Sequence, residues 1–236
     1  MNIKLTLTFN GAQFYGWQSQ KNNLGIQNIL ESALEKIYKQ TVKVTGCSRT
    51  DRYVNAINYV VNFHPPFFIH ETNLKKAITL PKSIKIKNVE YVDEDFHARF
   101  NAKYKIYIYR VSTAEVVFDD FCLVETHQLD LEKMKQAAKI FKGNHDFTAF
   151  SILNDKNPEC EIFNFKIHKK AGYIYFVIKG DRFLHKMVRF LVGGILDVGK
   201  KKLTLKNLEE NLVNKQRIYP IKPVAGNGLF LKKVCY

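Results

Sequence analysis

Glycine and proline are scarce in this chain, 12 and 6 of 236 residues, which excludes a collagen-like or largely disordered polypeptide. No run approaches the roughly 18 apolar residues that a membrane span needs. The start, Met1-Asn2-Ile3-Lys4, lacks the apolar core of a signal peptide. These absences predict a soluble, cytoplasmic protein with no membrane attachment. The 4 cysteines, Cys47, Cys122, Cys160 and Cys235, lie far apart and none forms a CxxC pair. Reduced, partly buried thiols are expected, rather than a disulfide framework or a zinc cluster. The 7 histidines are equally scattered, and His64 and His70 flank Pro65-Pro66 in a manner that suits a loop better than a metal site. Acidic residues are the last shortage. There are 22 Asp and Glu against 37 Lys and Arg, for a net charge of +15. Such an excess favours a polyanionic partner, nucleic acid or an anionic membrane, although a merely solvated lysine-rich surface would look the same.

What is present is 46% hydrophobic residues, enough for one large core or two small ones. Residues 2 to 9 alternate, with Ile3, Leu5, Leu7 and Phe9 on one face, as in a half-buried strand. Ile26, Ile29, Leu30, Ala33, Leu34 and Ile37 recur at helical spacing and predict an amphipathic helix over 26–39. A short strand beginning at Val42 and Val44, strands over 56–63 and 84–92, and a short helix around Leu74, Ala77 and Ile78 complete the first half. In the second half, residues 102 to 112 alternate as a strand, and Leu131 to Phe141 reads as a helix capped by Asp130 and closed by Gly143. Residues 162–168 and 173–179 read as a hairpin about Ala171-Gly172. Helices over 183–198 and 204–213 and a last strand over 229–234 follow. No linker or low-complexity segment interrupts the chain. The pattern predicts two α+β lobes, 1–102 and 103–236.

Chemistry concentrates first in Gly46-Cys47-Ser48-Arg49-Thr50-Asp51-Arg52-Tyr53-Val54-Asn55-Ala56, a loop between two strands. It places one carboxylate between two arginines, which favours the ionised form that a nucleophile or base needs. Taken alone, it reads as a surface turn with a charge pair. The loop resembles the catalytic loop of the tRNA pseudouridine synthase A family, G-x-G-R-T-D-A-G-V-H-A. Further segments resemble that family in the same order. They are Phe14-Tyr15-Gly16-Trp17-Gln18-Ser19-Gln20 with Gln27 in the helix beyond, Phe96-His97-Ala98-Arg99-Phe100-Asn101-Ala102 with Tyr107-Ile108-Tyr109-Arg110, and Gly143-Asn144-His145-Asp146-Phe147-Thr148-Ala149-Phe150. Phe183-Leu184-His185-Lys186-Met187-Val188-Arg189 with Gly193, and Gly228-Leu229-Phe230-Leu231, close the series.

The resemblance implies two ferredoxin-like lobes with joined, mainly antiparallel sheets and the active-site cleft between them. It implies an isomerase that turns uridine into pseudouridine in tRNA, at positions 38 to 40 of the anticodon stem-loop, working as a homodimer. It implies Asp51 as the catalytic nucleophile, Tyr107 as the tyrosine packing on the base, and Arg189 as the basic partner of the aspartate. Arg49 matches the residue that helps hold the target nucleotide out of its stack, and Leu229 the apolar residue closing the pocket. Arg52, His185 and Lys186 are further substrate-binding candidates. The reaction breaks an N-glycosidic bond, turns the uracil and rejoins it through carbon without redox change, so no metal or cofactor is expected.

Other residues carry two readings. Arg182, Lys186 and Arg189 fall at i, i+4 and i+7 of the helix over 183–198, either an RNA-facing or a solvated basic stripe. Tyr107 and Tyr109 share a strand face with Lys103 and Lys105, which alone would suggest a half-exposed sheet face. Lys200-Lys201-Lys202 is a backbone contact or a solvated turn. Trp17 suits packing better than base contact, and Asp93-Glu94-Asp95 a solvated turn better than a metal site. The chain departs from the family at Ser48, Arg52-Tyr53 and Asn55, where Gly, Ala-Gly and His are usual. Either position 53 does not need the positive φ that favours glycine, or the loop follows another path. Two rival functions stay open: a pseudouridine synthase with another RNA target, and a non-catalytic tRNA-binding protein or RNA chaperone.

Overall fold

A computed structural model describes residues 1–18, 25–117, 119–152 and 157–236. Ser19 and Gln20 of the first family segment lie outside the described residues. The element order is β1 (Asn2–Phe9), α1 (Ile26–Tyr38), β2 (Thr45–Gly46), β3 (Asn55–Phe63), α2 (Glu71–Ala77), β4 (Ile84–Val92), β5 (Tyr104–Ser112), β6 (Leu123–Val124), α3 (Leu131–Ile140), β7 (Gly143–Asp146), β8 (Glu159–Lys170), β9 (Tyr173–Gly180), α4 (Met187–Gly199), α5 (Leu205–Val213) and β10 (Leu229–Cys235). Short 3-10 turns occupy Gly11–Gln13 and Thr148–Phe150. The chain divides into two compact units, Met1–Lys103 with Phe230–Tyr236, and Tyr104–Leu229. Both are α+β with mainly antiparallel strands.

In the first unit the order β4-β1-β3-β2 is antiparallel throughout, the arrangement of a ferredoxin-like sheet. The alternation read from residues 2 to 9 is what buries this sheet: Ile3, Leu5 and Leu7 are fully inaccessible and Phe9 nearly so. The helix α1 buries Ile26, Leu30, Ala33 and Leu34, and Lys39 ends it in the left-handed region at φ 57°. The C-terminal strand joins this unit by running parallel to β3, with Phe230 opposite Asn55 and Leu231 opposite Ala56.

The second unit carries the strands β5-β9-β8-β7 in antiparallel order, with β6 parallel to the end of β5. The helix α3 packs on β8, α4 and α5. Its N-cap is Asp130, whose side chain accepts from the Lys133 amide at 3.0 Å, satisfying a donor that the helix itself cannot. The predicted hairpin about Ala171-Gly172 is β8–β9. The helix α4 is apolar nearly all round, with Met187, Val188, Phe190, Leu191, Val192, Ile195 and Leu196 all buried. Among the described residues no helix is long and apolar enough to cross a membrane.

Three sequence-based expectations are corrected. The helix predicted to start at Phe183 starts at Met187, because Lys186 sits in the left-handed region at φ 59° and interrupts the backbone. Arg182 and Lys186 therefore do not share a helical stripe with Arg189. The strand expected from Val42 and Val44 is instead Thr45–Gly46. On β5 the faces are reversed: Lys105, Tyr107 and Tyr109 are buried, and Ile106 and Ile108 are half-buried.

Candidate active site

The Asp51 loop is short, and its shape is imposed by the segment before α1. Residues Gly11–Gln13 make a 3-10 turn, and the chain then runs through Phe14 and Gly16 to Trp17. The Trp17 amide donates to the Thr50 carbonyl at 3.2 Å. Gly16 has φ +87°, and a β-carbon there would lie 2.2 Å from the Thr50 carbonyl oxygen. A β-carbon on Gly11 would lie 2.1 Å from the Val54 carbonyl oxygen. Two glycines thus let one backbone strand lie flat against the other on both sides of Asp51. Below the loop, Gly46 abuts the Trp17 ring and the Tyr59 hydroxyl, the Trp17 and Tyr59 rings lie 4.4 Å apart, and the Tyr59 hydroxyl donates to the Ser48 carbonyl. Trp17 is buried at 4% exposure, in keeping with packing.

Within the loop the Val54 amide donates to the Asp51 carbonyl at 3.2 Å, closing a tight turn. Asp51 is half-buried, while Arg49, Arg52 and Tyr53 are exposed. Tyr53 has φ 69°. The position that is glycine in the family pattern is therefore left-handed here with a tyrosine in it, at a cost of about 1–2 kcal/mol. The tyrosine itself bears the strain of the turn. Asn55, where the family pattern has histidine, is 2% exposed, and its Oδ1 accepts from the Gly11 amide at 2.8 Å. The side chain of Arg52 lies against two rings, with its guanidinium carbon 4.4 Å from the Tyr15 centroid and 4.5 Å from the Tyr53 centroid.

The other candidates belong to the second unit. Tyr107 is 6% exposed on β5, and the ring of Phe183 meets its ring edge-on at a centroid distance of 5.2 Å. Arg189 stands in the first turn of α4. Its Nε donates to the Val224 carbonyl at 2.7 Å, and the Val224 amide returns a bond to the Arg189 carbonyl at 3.2 Å. One turn on, a β-carbon at Gly193 would lie 2.2 Å from the Lys222 carbonyl oxygen. Residues 222–224 thus lie directly on α4. They continue to Ala225, whose carbonyl accepts from the Tyr109 hydroxyl at 2.8 Å, and to Gly228, whose carbonyl accepts from the Arg110 amide at 2.9 Å. Leu229, 5% exposed, follows. Burial pushes the Tyr109 phenol well above its usual range, against the opposing pull of Arg189, so this hydroxyl stays a neutral donor. His185 is exposed, and its carbonyl accepts from the Ile152 amide at 3.1 Å. Arg182 donates to the Asn157 carbonyl at 2.7 Å.

Arg49, Asp51 and Arg52 therefore share one loop of the first unit. Tyr107, Arg189 and Leu229 are tied to one another's surroundings in the second through Tyr109 and residues 222–228. Reading the sequence did not single out Tyr15 for a role of its own, whose only signal was its place beside Gly16, nor residues 223–227, which carry no charged or aromatic residue. The four cysteines are free thiols, three of them buried. Among the described residues no three His, Cys, Asp or Glu side chains gather as a metal site would require.

An aspartate loop flanked by arginines, on a ferredoxin-like unit of a strongly basic chain, has the features of an RNA-modifying isomerase of the pseudouridine synthase class. A family model described as tRNA pseudouridine synthase matches residues 137–236. Tyr107, Asp51 and residues 1–103 of the first unit lie outside that match, but full-length relatives cover them. A protein of Bacillus cereus named tRNA pseudouridine synthase A 2 is 36% identical over 99% of this chain and 98% of its own. Proteins named tRNA pseudouridine synthase A from Thermodesulfovibrio yellowstonii and Dictyoglomus thermophilum are 34% and 35% identical over 100% of both chains. The chain belongs to the tRNA pseudouridine synthase A family, a family of isomerases. A solved structure of an H/ACA RNP bound to a substrate RNA containing 2′-deoxyuridine aligns with TM-score 0.38 at 10% identity, over 82% of this chain and 44% of that one. This chain thus spans under half the length of that protein.

Proposed function

We propose that the protein converts uridine to pseudouridine at positions 38 to 40 in the anticodon stem-loop of tRNA, as a cytoplasmic homodimer. Asp51 is the nucleophile. Tyr107 packs on the uracil, Arg189 pairs with the aspartate, and Leu229 closes the pocket. Arg49 holds the target nucleotide out of its stack, and Arg52, His185 and Lys186 contact the RNA. The observation that carries this reading is the fixing of the Asp51 loop. Gly11, Gly16, Trp17 and Asn55 all hold the backbone on either side of a single carboxylate, which is what a group that must meet one sugar–base bond requires. An aspartate in a merely solvated turn would need none of these contacts. The buried tyrosine face of β5 supports the role of Tyr107, because a freed uracil has to be held by stacking while it turns. The net charge of +15 supports a backbone contact surface.

The test incubates wild type and Asp51→Asn with unmodified tRNA and maps pseudouridine chemically. Wild type forms pseudouridine at one or more of positions 38 to 40, and the variant forms none above background. Equal product from the variant, or none from wild type, refutes the reading and leaves a non-catalytic RNA-binding protein. Product only outside the anticodon arm replaces the proposed positions with another target.

A further inference from the structure

The pair Arg52-Tyr53 stands where the family pattern has Ala-Gly, directly after Asp51. Neither residue is accounted for by folding. Tyr53 is 40% exposed and holds a left-handed φ of 69° that glycine would adopt without strain. Its ring buries little, yet it lies 4.5 Å from the Arg52 guanidinium carbon. Tyr15, also 40% exposed, lies 4.4 Å from the same carbon. The backbone of Tyr15 is fixed in turn by its neighbour Gly16, pressed on Thr50. Among the described residues no carboxylate pairs with Arg52. An exposed arginine is therefore held against two rings beside Asp51, whose backbone is fixed on both sides.

A guanidinium resting against aromatic rings keeps its cation–π attraction through its faces and presents its N–H groups at the edge. That planar edge matches the two oxygens of a phosphodiester, and the Arg52 guanidinium carbon already lies within 4.5 Å of two ring centroids. Resting on the proposed function of Asp51, we infer that the Tyr15–Arg52–Tyr53 cluster is a phosphate clamp. In this role Arg52 binds the RNA phosphodiester next to the target uridine, and the two tyrosines orient it. Arg52 neighbours Asp51 in the chain, so the phosphate it grips belongs to the target nucleotide or the one beside it. The clamp sets where the backbone lies relative to the Asp51 carboxylate. It gives this chain a contact that the Ala-Gly form of the loop cannot make.

The test measures binding of unmodified tRNA to the full chain by fluorescence anisotropy over a series of KCl concentrations. Wild type is compared with Arg52→Gln, Arg52→Lys and Tyr53→Gly. Loss of one phosphate contact lowers the slope of log K against log salt by about 0.7–0.9 in Arg52→Gln, with affinity about tenfold weaker. Arg52→Lys keeps the slope and loses part of the affinity, because an ammonium has the charge without the planar edge. Tyr53→Gly suits the φ of the position, unfolds at a temperature close to that of wild type, and still weakens binding several-fold. A merely loop-stiffening role for Arg52 would leave the salt slope unmoved. If wild type binds and Arg52→Gln matches it in slope and within twofold in affinity, the clamp is refuted while the proposed function stands. If Tyr53→Gly weakens binding more than Arg52→Gln and the slope is constant, the ring stacks on a base and the phosphate assignment is overturned. If wild type does not bind tRNA at all, the proposed function itself falls.

Discussion

Replacing Gly16 by alanine tests whether the segment before α1 sets the position of Asp51. A β-carbon on Gly16 would lie 2.2 Å from the Thr50 carbonyl oxygen and 3.1 Å from the Asp51 carbonyl carbon. Ordinary contact begins near 3.4 Å, so the two backbones must part by more than 1 Å. The Trp17–Thr50 hydrogen bond of 3.2 Å is stretched by the same movement. Overpacking of this kind costs about 1–3 kcal/mol, and alanine at φ +87° adds about 1–2 kcal/mol. The variant should unfold roughly 4–20 °C below wild type, at about 2–4 °C per kcal/mol for a chain of this size. The catalytic consequence is separate. A shift of about 1 Å in the reacting carboxylate costs on the order of 10²-fold in rate, measured as pseudouridine formed per minute at a temperature where both proteins are folded. Two substitutions divide the causes. Gly172→Ala shares the positive φ, +80°, with nothing within 4 Å, and should cost only the backbone strain and leave activity intact. Gly11→Ala has no positive φ but would meet the Val54 carbonyl oxygen at 2.1 Å, and should lose activity as Gly16→Ala does. If Gly16→Ala turns over tRNA at the wild-type rate, Asp51 is not positioned by this contact and the reasoning fails.

Asn55→Ala leaves the buried Gly11 amide without its acceptor, and should cost about 1–3 kcal/mol in urea unfolding and lower activity with it. Glu125 makes the prediction for pH. Burial pushes its carboxyl up, but hydrogen bonds from Lys200 at 2.9 Å and from His127 outweigh this and hold it below the ordinary glutamate value of 4.5. A carboxyl lowered in the folded state contributes stability that is present above its unfolded pKa and is lost as pH falls through the folded pKa. Glu125→Gln should therefore be less stable by about 1–3 kcal/mol at neutral pH. Its difference from wild type should shrink below about pH 4.5, as followed by thermal unfolding over a pH series.

How much of this was legible in the sequence depended on whether the signal was side-chain pattern or backbone dihedral. Alternation over residues 2–9 and the Asp130 cap are patterns of polarity, and β1 and α3 lie where those patterns put them. The start of α4 was missed because Phe183 and Leu184 continue its apolar pattern, while the interruption is a left-handed lysine that nothing in its polarity announces. The face of β5 was misread because isoleucine is more apolar than tyrosine; in the structure the buried side also takes Lys105 and the hydrogen-bonded Tyr109. At the site, the residues of the Asp51 loop were legible, but the conformation they adopt was not. Tyr53 in a glycine position left open whether that position needs a positive φ, and φ 69° shows that in this chain it takes one with a tyrosine in place. That choice has a measurable consequence. Tyr53→Gly relieves about 1–2 kcal/mol of left-handed strain. It loses about 0.5–1 kcal/mol through the freer unfolded chain and about 0.5–1 kcal/mol of ring contact with Arg52. These terms nearly cancel, so the melting temperature should move by no more than about 4 °C. A residue at an ordinary negative φ has no strain to return, and glycine there would only destabilise. A drop well beyond about 4 °C would mean that Tyr53 carries no left-handed strain, and would refute this reading of the loop.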